Sequence, residues 1–448
     1  MSKPRVMGFW SCVALVMGNM IGSGIFLMPS LMAGYGVISL WGWLISGGGA
    51  LLLAVVFANL ARTVGGAGGP YAYTREAFGE FAGYLCAWCY WKTAWIGNAA
   101  IAVTVIGYLT VFFPALANPV AGAATAIGFL WIMTFVNLQG VKLFSLLQNI
   151  FTILKLIPLV LIGVAGWFFF DLDNVARPVL GRSIPETSLL AAISSVTALT
   201  MWSFLGLESA TVPAEGVVDP KKTIPRATLF GTFAAGIVYF CSVTVVLGML
   251  PARTLTASTA PFADAARIIV GDSAYYLIAA GAIIAAIGAL NGWILLQGQI
   301  PMAAARDGLL PEALAKLNAQ GVPGNALITS SVLVSVLIAM NFRGGLVEAF
   351  QIIVLVGTMT TLVPYAFCAT GLLQLMVDRR KLFPARVVFS AVAALLAFGF
   401  SLWALYGSGE HAVFWGFLVM ISGLPLYTWR KWRDKSAAVK KLATVPAD

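Results

Sequence analysis

Two short stretches of this chain carry groups able to hold a small charged molecule. They are Gly18-Asn19-Met20-Ile21-Gly22-Ser23-Gly24-Ile25 and, much later, Trp202-Ser203-Phe204-Leu205-Gly206-Leu207-Glu208-Ser209. Both lie inside apolar runs. A helix in lipid must satisfy its own backbone, so glycines and small polar residues in mid-run invite a break. A broken helix frees N–H groups, which hold an anion, and carbonyls, which hold a cation. An amino acid offers one of each charge. Glycine-interrupted segments at matching places in two halves point to a transport-type binding site. The structural alternative for Gly18 and Gly22 is a helix–helix contact through small residues, and the acid in the second stretch weighs against it.

Glu208 is the one acid among seventeen Asp and Glu that falls deep within an apolar run. An ionised acid at mid-membrane costs on the order of 3 kcal/mol, so it faces a cavity or a partner. Such a group can sense or carry a proton, whereas a neutral, hydrogen-bonded acid would be structural. Lys155, in Thr152-Ile153-Leu154-Lys155-Leu156-Ile157-Pro158, is also deep. Its ammonium could stand in for a coupling cation or titrate, or simply pair with helix-end carbonyls. Lys92 lies roughly opposite Tyr90, Ala94 and Gly97 by helical phase, which predicts snorkelling or a structural pair rather than a site role. Tyr90, Trp95, Trp202, Trp293 and Tyr365 are rings on which a cationic group could stack. Trp293 follows Asn291-Gly292 and precedes Gln297 by about one turn, a polar face within an apolar segment.

The elements that must position these residues are membrane helices. Of 448 residues 60% are hydrophobic and 10% charged, and the mean hydropathy is +0.92, against about 25% charged residues in soluble domains. Apolar segments are predicted at about 9–32, 38–61, 81–112, 119–138, 145–170, 189–212, 227–249, 275–300, 326–341, 347–375, 387–406 and 413–429. The first is too long for the h-region of a cleaved signal peptide. Cys12, Cys86, Cys89, Cys241 and Cys368 all fall in these segments and read as packing residues. Cys86 and Cys89 have no second pair or nearby histidine to complete a metal site. No metal, cofactor or catalytic residue is expected.

The net charge of +10 is a topology signal, not a nucleic-acid one. With the N-terminus inside, twenty of the twenty-seven Lys and Arg fall on the inner side and five outside (Arg177, Arg182, Arg253, Arg267 and Arg343), with Lys92 and Lys155 within segments. The inner set includes Lys3, Arg5, Arg75, Lys221, Lys222, Arg306, Arg379, Arg380 and Lys381. Both termini are expected in the cytoplasm; in the tail 430–448, Arg430–Lys441 reads first as a stop-transfer flank and, as the alternative, as a contact for anionic lipid. The broken first and sixth segments suggest one transporter domain over 1–448: inverted repeats at about 9–170 and 189–375, appended helices at 387–429, then the tail. Asp219-Pro220-Lys221-Lys222-Thr223-Ile224-Pro225 reads as a turn and a helix start. Ala305-Arg306-Asp307-Gly308-Leu309-Leu310-Pro311 reads as a stop and a new start.

Asn19-Met20-Ile21-Gly22-Ser23-Gly24-Ile25, Trp95-Ile96-Gly97-Asn98, Trp202 to Ser209, Pro220 to Pro225 and Ala305-Arg306-Asp307-Gly308 together resemble the basic amino acid/polyamine antiporters of the amino acid–polyamine–organocation superfamily. The resemblance covers nearly the whole chain, in order. It implies an all-α membrane fold of twelve transmembrane helices with a five-plus-five inverted repeat and discontinuous helices 1 and 6. Ser23 and Gly24 would bind the substrate carboxylate, and carbonyls near Ile21, Trp202 and Leu205, beside Ser203, the α-amino group. Asn98, with carbonyls at Thr93 and Ala94, would meet a distal head group, and Trp293 would pack on the side chain. Trp202 would close the outer gate, and Tyr90, Glu208 and Tyr365 the inner gate. Glu208 and Lys155 would be the proton- or pH-linked groups. Gly357 stands where the arginine/agmatine exchangers carry a serine, and Ile101 where they carry a methionine. Lys155 matches a lysine that replaces a sodium ion in some relatives.

The resulting expectation is a bacterial inner-membrane exchanger that takes in a cationic amino acid and releases its decarboxylated amine, with arginine and agmatine first. A proton-coupled or facilitative amino acid transporter, including one for neutral substrates, is the alternative that Lys155 favours. An intramembrane enzyme lacks its groups: His411 is the one histidine and is assigned to an outer loop, and no HExxH or acid pair lies within a segment. A channel is disfavoured by the pair of broken helices, which suits an occluded site. The expected partners are small amino acids and amines and membrane lipid, with no nucleic acid; a homodimer is left open.

Overall fold

The computed structural model describes residues 6–176, 189–341, 346–378 and 385–443. Lys3, Arg5, Arg177, Arg182, Arg343, Arg379, Arg380 and Lys381, used above for orientation, lie outside them, as do the last five residues of the tail. The helices are α1 (Phe9–Met20), α2 (Ser23–Met32), α3 (Ile38–Thr63), α4 (Pro70–Phe78), α5 (Glu80–Leu109), α6 (Pro119–Leu138), α7 (Val141–Ala165), α8 (Leu172–Ala176) and α9 (Leu189–Phe204). Then come α10 (Pro220–Met249), α11 (Ala252–Ala257), α12 (Pro261–Val270), α13 (Asp272–Arg306), α14 (Gly324–Asn341), α15 (Leu346–Asp378), α16 (Ala385–Gly407), α17 (Glu410–Ile421) and α18 (Leu424–Ala443). One isolated parallel bridge, Met7 with Val217, ties the entry of α1 to the entry of α10.

Among the described residues, nine helical units are long and apolar enough to cross a membrane, and the chain is a multi-pass membrane protein. The other three predicted segments are α5, α9 and α14. The last two are short, at 16 and 18 residues. At 30 residues α5 is long enough, but its tryptophans, tyrosines and Lys92 lower its hydropathy, because it packs largely against protein. The span Phe9–Tyr35 is 94% buried within the protein and Glu410–Arg433 only 17%, so the broken first span is central and the last peripheral.

Both predicted breaks are present. Between α1 and α2 the backbone leaves helical values at Ile21 (φ −76°, ψ 87°) and Gly22 (φ −143°, ψ −133°). A Cβ on Gly22 would lie 2.5 Å from that of Ala289 on α13, so only glycine lets the two backbones approach. The second break follows α9, where the chain turns through Gly206 at φ +100° into a short 3₁₀ turn, Ser209–Thr211. That conformation is cheap for glycine alone. The breaks are joined: the Asn19 amide donates to Ser209 Oγ at 2.8 Å.

Three expectations shift. The last predicted segment, 413–429, is two helices, because the chain kinks at Ser422-Gly423, and α18 carries helix through Lys435 to Ala443 into the expected tail. His411 is the second residue of α17, not a loop residue. After Pro311 only a four-residue 3₁₀ turn forms before α14.

Candidate functional site

Asn19, Met20, Gly22, Ser23, Gly24, Thr93, Gly97, Ile101, Trp202, Leu205 and Trp293 line a closed chamber between the two breaks. Its free space is about 10 Å³, room for about one water. The N-terminus of α2, with its unpaired N–H groups, starts at Ser23 on the chamber wall and favours an anionic group. Trp202 closes one side. Its indole lies so near Gly24, Gly97 and Gly357 that a Cβ on those residues would meet it at 3.0, 3.4 and 2.6 Å. Trp293 crosses from α13 and donates its indole N–H to the Asn19 carbonyl at 3.1 Å.

Glu208 follows Gly206 of the second break by two residues. Tyr90 donates to one of its carboxyl oxygens and Tyr365 to the other. All three are fully buried, and Phe57 packs edge-on against Tyr365.

The remaining residues named from sequence are spread around the chamber. Asn98 is buried one residue beyond Gly97 on α5, and its amide donates to Gln297 at 2.8 Å. Thr93 shares hydrogen bonds with Thr360 and Thr361 of α15. Ala94 and Ser203 are buried without lining the chamber, and the Ser203 carbonyl accepts from Tyr239. The Trp202 carbonyl accepts from the Leu205 N–H at 3.2 Å. The Ile21 carbonyl, expected near an amino group, is reached instead by Lys155, whose Nζ lies 2.8 Å from it and 2.8 Å from the Gly18 carbonyl. Lys92 does not line the chamber and forms no ion pair among the described residues. Its ammonium lies 4.2, 5.0 and 5.5 Å from the ring centroids of Trp88, Trp95 and Trp91, a cation–π cage. All five cysteines are free, and no cluster of metal-ligating side chains occurs among the described residues.

Sequence reasoning missed the buried amide chain behind α1. Asn137 donates to Asn291, which donates to Gln148 at 3.0 Å. The signal was present as single amides in apolar segments, each innocuous alone.

It also missed a latch between α4 and the end of α13. A cavity of about 590 Å³ there is lined by Tyr71, Arg75, Glu76, Glu80, Glu215, Arg306 and Asp307 among others. Arg75 pairs with Asp307 at 2.9 Å, and the Tyr71 hydroxyl donates to the same carboxylate at 2.6 Å. Burial, reinforced by the Asp307 bond, pushes the Tyr71 hydroxyl above its usual range, so it stays a donor. Arg306 pairs with Glu215 at 3.5 Å. The Asp307 contacts clamp α4 to the end of α13, and the Arg306 pair ties that end to the turn at Ala214–Gly216, where sequence showed only helix punctuation. A half-exposed ion pair contributes up to about 1 kcal/mol, or about fivefold in an opening equilibrium. Asp307→Asn is therefore expected to speed labelling of a cysteine placed at Ala303 about fivefold. An unchanged labelling rate would mean that the latch does not hold this side shut.

The amino acid permease family matches residues 7–429. The cadaverine/lysine antiporter of Escherichia coli (strain K12) is 35% identical over 98% of this chain and 97% of its own length. The putrescine transporter PotE of Haemophilus influenzae is 30% identical over 95% of this chain and 97% of its own length. PotE of Escherichia coli (strain K12) is 30% identical over 95% and 96%. With the broken spans and the closed chamber between them, these matches make the chain a member of the amino acid permease family, in its basic amino acid/polyamine antiporter branch.

Proposed function

We propose that this protein is a transporter, not an enzyme, and exchanges a cationic amino acid for its decarboxylated amine across a bacterial inner membrane. The observation that carries the reading is the closed chamber at two helix breaks. The free N-terminus of α2 faces it on one side, Trp293 lines it from α13, and Asn98 is buried on α5 next to the lining residue Gly97. The α2 end suits a carboxylate, and the ring and amide suit a long side chain with a cationic end. Relatives named for cadaverine/lysine and for putrescine support a lysine–cadaverine pair. The arginine–agmatine pair put first from sequence becomes the competitor. Lysine entering as a monocation and cadaverine leaving as a dication would export one positive charge per cycle. Alongside a decarboxylase this would consume cytoplasmic protons.

In this reading Trp202 is the outer gate, and Tyr90, Glu208 and Tyr365 form the inner gate. The segments 9–170 and 189–375 are inverted repeats that rock about the chamber, and both termini are cytoplasmic. Substrates act by different contacts in the two facing states. A second reading, proton-coupled or facilitative uptake, is favoured by Lys155, whose ammonium already occupies a cation's place at the first break.

Counterflow in proteoliposomes separates these readings. Vesicles loaded with lysine, cadaverine, arginine, agmatine, putrescine or a neutral amino acid are offered labelled lysine or arginine. Uptake that requires an internal amine or cationic amino acid supports exchange, and the fastest pair names the substrates. Uptake into empty vesicles under a proton gradient overturns exchange in favour of the second reading. Trp293→Ala is expected to weaken lysine binding about tenfold, through loss of ring contact and of the tie to Asn19. Titration calorimetry showing wild-type affinity would remove Trp293 from the site.

A further inference from the structure

Behind Asn98 a file of hydrogen bonds runs through three more helices. Asn98 Nδ2 donates to Gln297 Oε1 at 2.8 Å, and Gln297 Nε2 donates to Ser331 Oγ at 3.0 Å. Ser331 Oγ lies 2.7 Å from Thr134 Oγ1, which lies 2.8 Å from the Leu130 carbonyl. All four side chains are fully buried. The last member fixes the direction. A backbone carbonyl can only accept, so Thr134 commits its one hydroxyl proton to Leu130 and must accept from Ser331. Ser331, its proton engaged, must accept from the Gln297 amide nitrogen. The Gln297 oxygen is thereby turned to Asn98 and takes the Asn98 amide nitrogen. What remains at the near end is the Asn98 oxygen, which is buried and has no hydrogen-bond partner among the described residues. Asn98 follows the lining residue Gly97 and lies about 60° round α5 from the lining residue Ile101, at the edge of the face that α5 gives to the chamber.

We propose that Gln297, Ser331 and Thr134 are positioning residues. They hold the Asn98 amide with its oxygen free, so that this wall accepts from a donor-only ammonium and discriminates against side chains that lack one. Unanchored, the amide could turn and present its N–H groups, which repel a cation. The inference rests on the cationic-substrate reading and assigns its selectivity to residues remote from the chamber.

The test is competition binding of lysine and norleucine, which share a straight four-carbon chain and differ in the terminal ammonium, on full-length protein in detergent. Gln297→Leu keeps the volume and removes the relay; Thr134→Val removes only the distant anchor; Thr134→Ser restores it. The preference for lysine over norleucine is expected to fall about tenfold in Gln297→Leu and about threefold in Thr134→Val, and to return in Thr134→Ser. Thr134→Val is nearly isosteric and serves even where Gln297→Leu does not fold. A preference unchanged in Thr134→Val, or both ligands weakened by one factor, overturns the inference and leaves the cationic reading intact. A wild-type protein with no preference for lysine overturns both.

Discussion

Replacing Glu208 by glutamine is expected to slow exchange about tenfold or more and to remove most of its dependence on pH. The carboxylate accepts from Tyr90 on one oxygen and from Tyr365 on the other. An amide offers one acceptor and one donor, so one tyrosine hydroxyl loses its acceptor in a fully buried place. Leaving a buried polar group unsatisfied costs about 1–3 kcal/mol, and here the cost falls on the Tyr90–Glu208–Tyr365 cluster. The proton that a carboxyl can take up is removed as well. Exchange rates of Glu208→Gln in proteoliposomes over a pH series, beside wild type, decide the matter. An unaltered profile would make Glu208 a structural acid.

A larger loss is expected from Gly206→Ala, about a hundredfold in exchange with a lowered unfolding temperature. At φ +100° an added Cβ is strained, by about 1–3 kcal/mol. It would also meet Asn19 Cβ at 2.9 Å and Trp293 Cζ2 at 3.3 Å. Asn19 could give way only by loosening its bonds to Ser209 and Trp293, so one methyl group would disturb both breaks. Gly399→Ala, where a Cβ meets nothing within 4 Å, is the control. Wild-type exchange by Gly206→Ala would show that the second break can relax without cost.

The two breaks were legible in sequence because glycines and small polar residues within an apolar, membrane-length run conflict with a continuous helix, and the conflict shows in one dimension. Glu208 was legible for the same reason, as an acid where burial is expensive. Its tyrosine partners and the gate roles came from the resemblance, since nothing local marks Tyr90 or Tyr365. Pairing of Lys155 with helix-end carbonyls is among the readings of the sequence, but its partners, Gly18 and Ile21, lie more than 130 positions away; only packing α7 against α1 names them. Helical phase puts Lys92 opposite Tyr90, Ala94 and Gly97, which predicts snorkelling or a structural pair but does not name Trp88, Trp91 and Trp95 as its partners. Their one-turn spacing on α5 makes them a cage. The Tyr71–Asp307–Arg75 latch was hidden for another reason: its residues punctuate helices as well as pair, and the punctuation is what a sequence shows.

The Lys155 ammonium has one more consequence. A diffusible cation at the Gly18 and Ile21 carbonyls would come and go with the ionic make-up of the medium. This one is tethered by its own side chain, so its effective concentration at the break is fixed by covalent geometry and does not fall on dilution. Its charge cannot be harvested from a salt gradient either, because the tethered cation never crosses. The first break is thus indifferent to salinity, and a salt gradient has no entry to it through the Gly18 and Ile21 carbonyls.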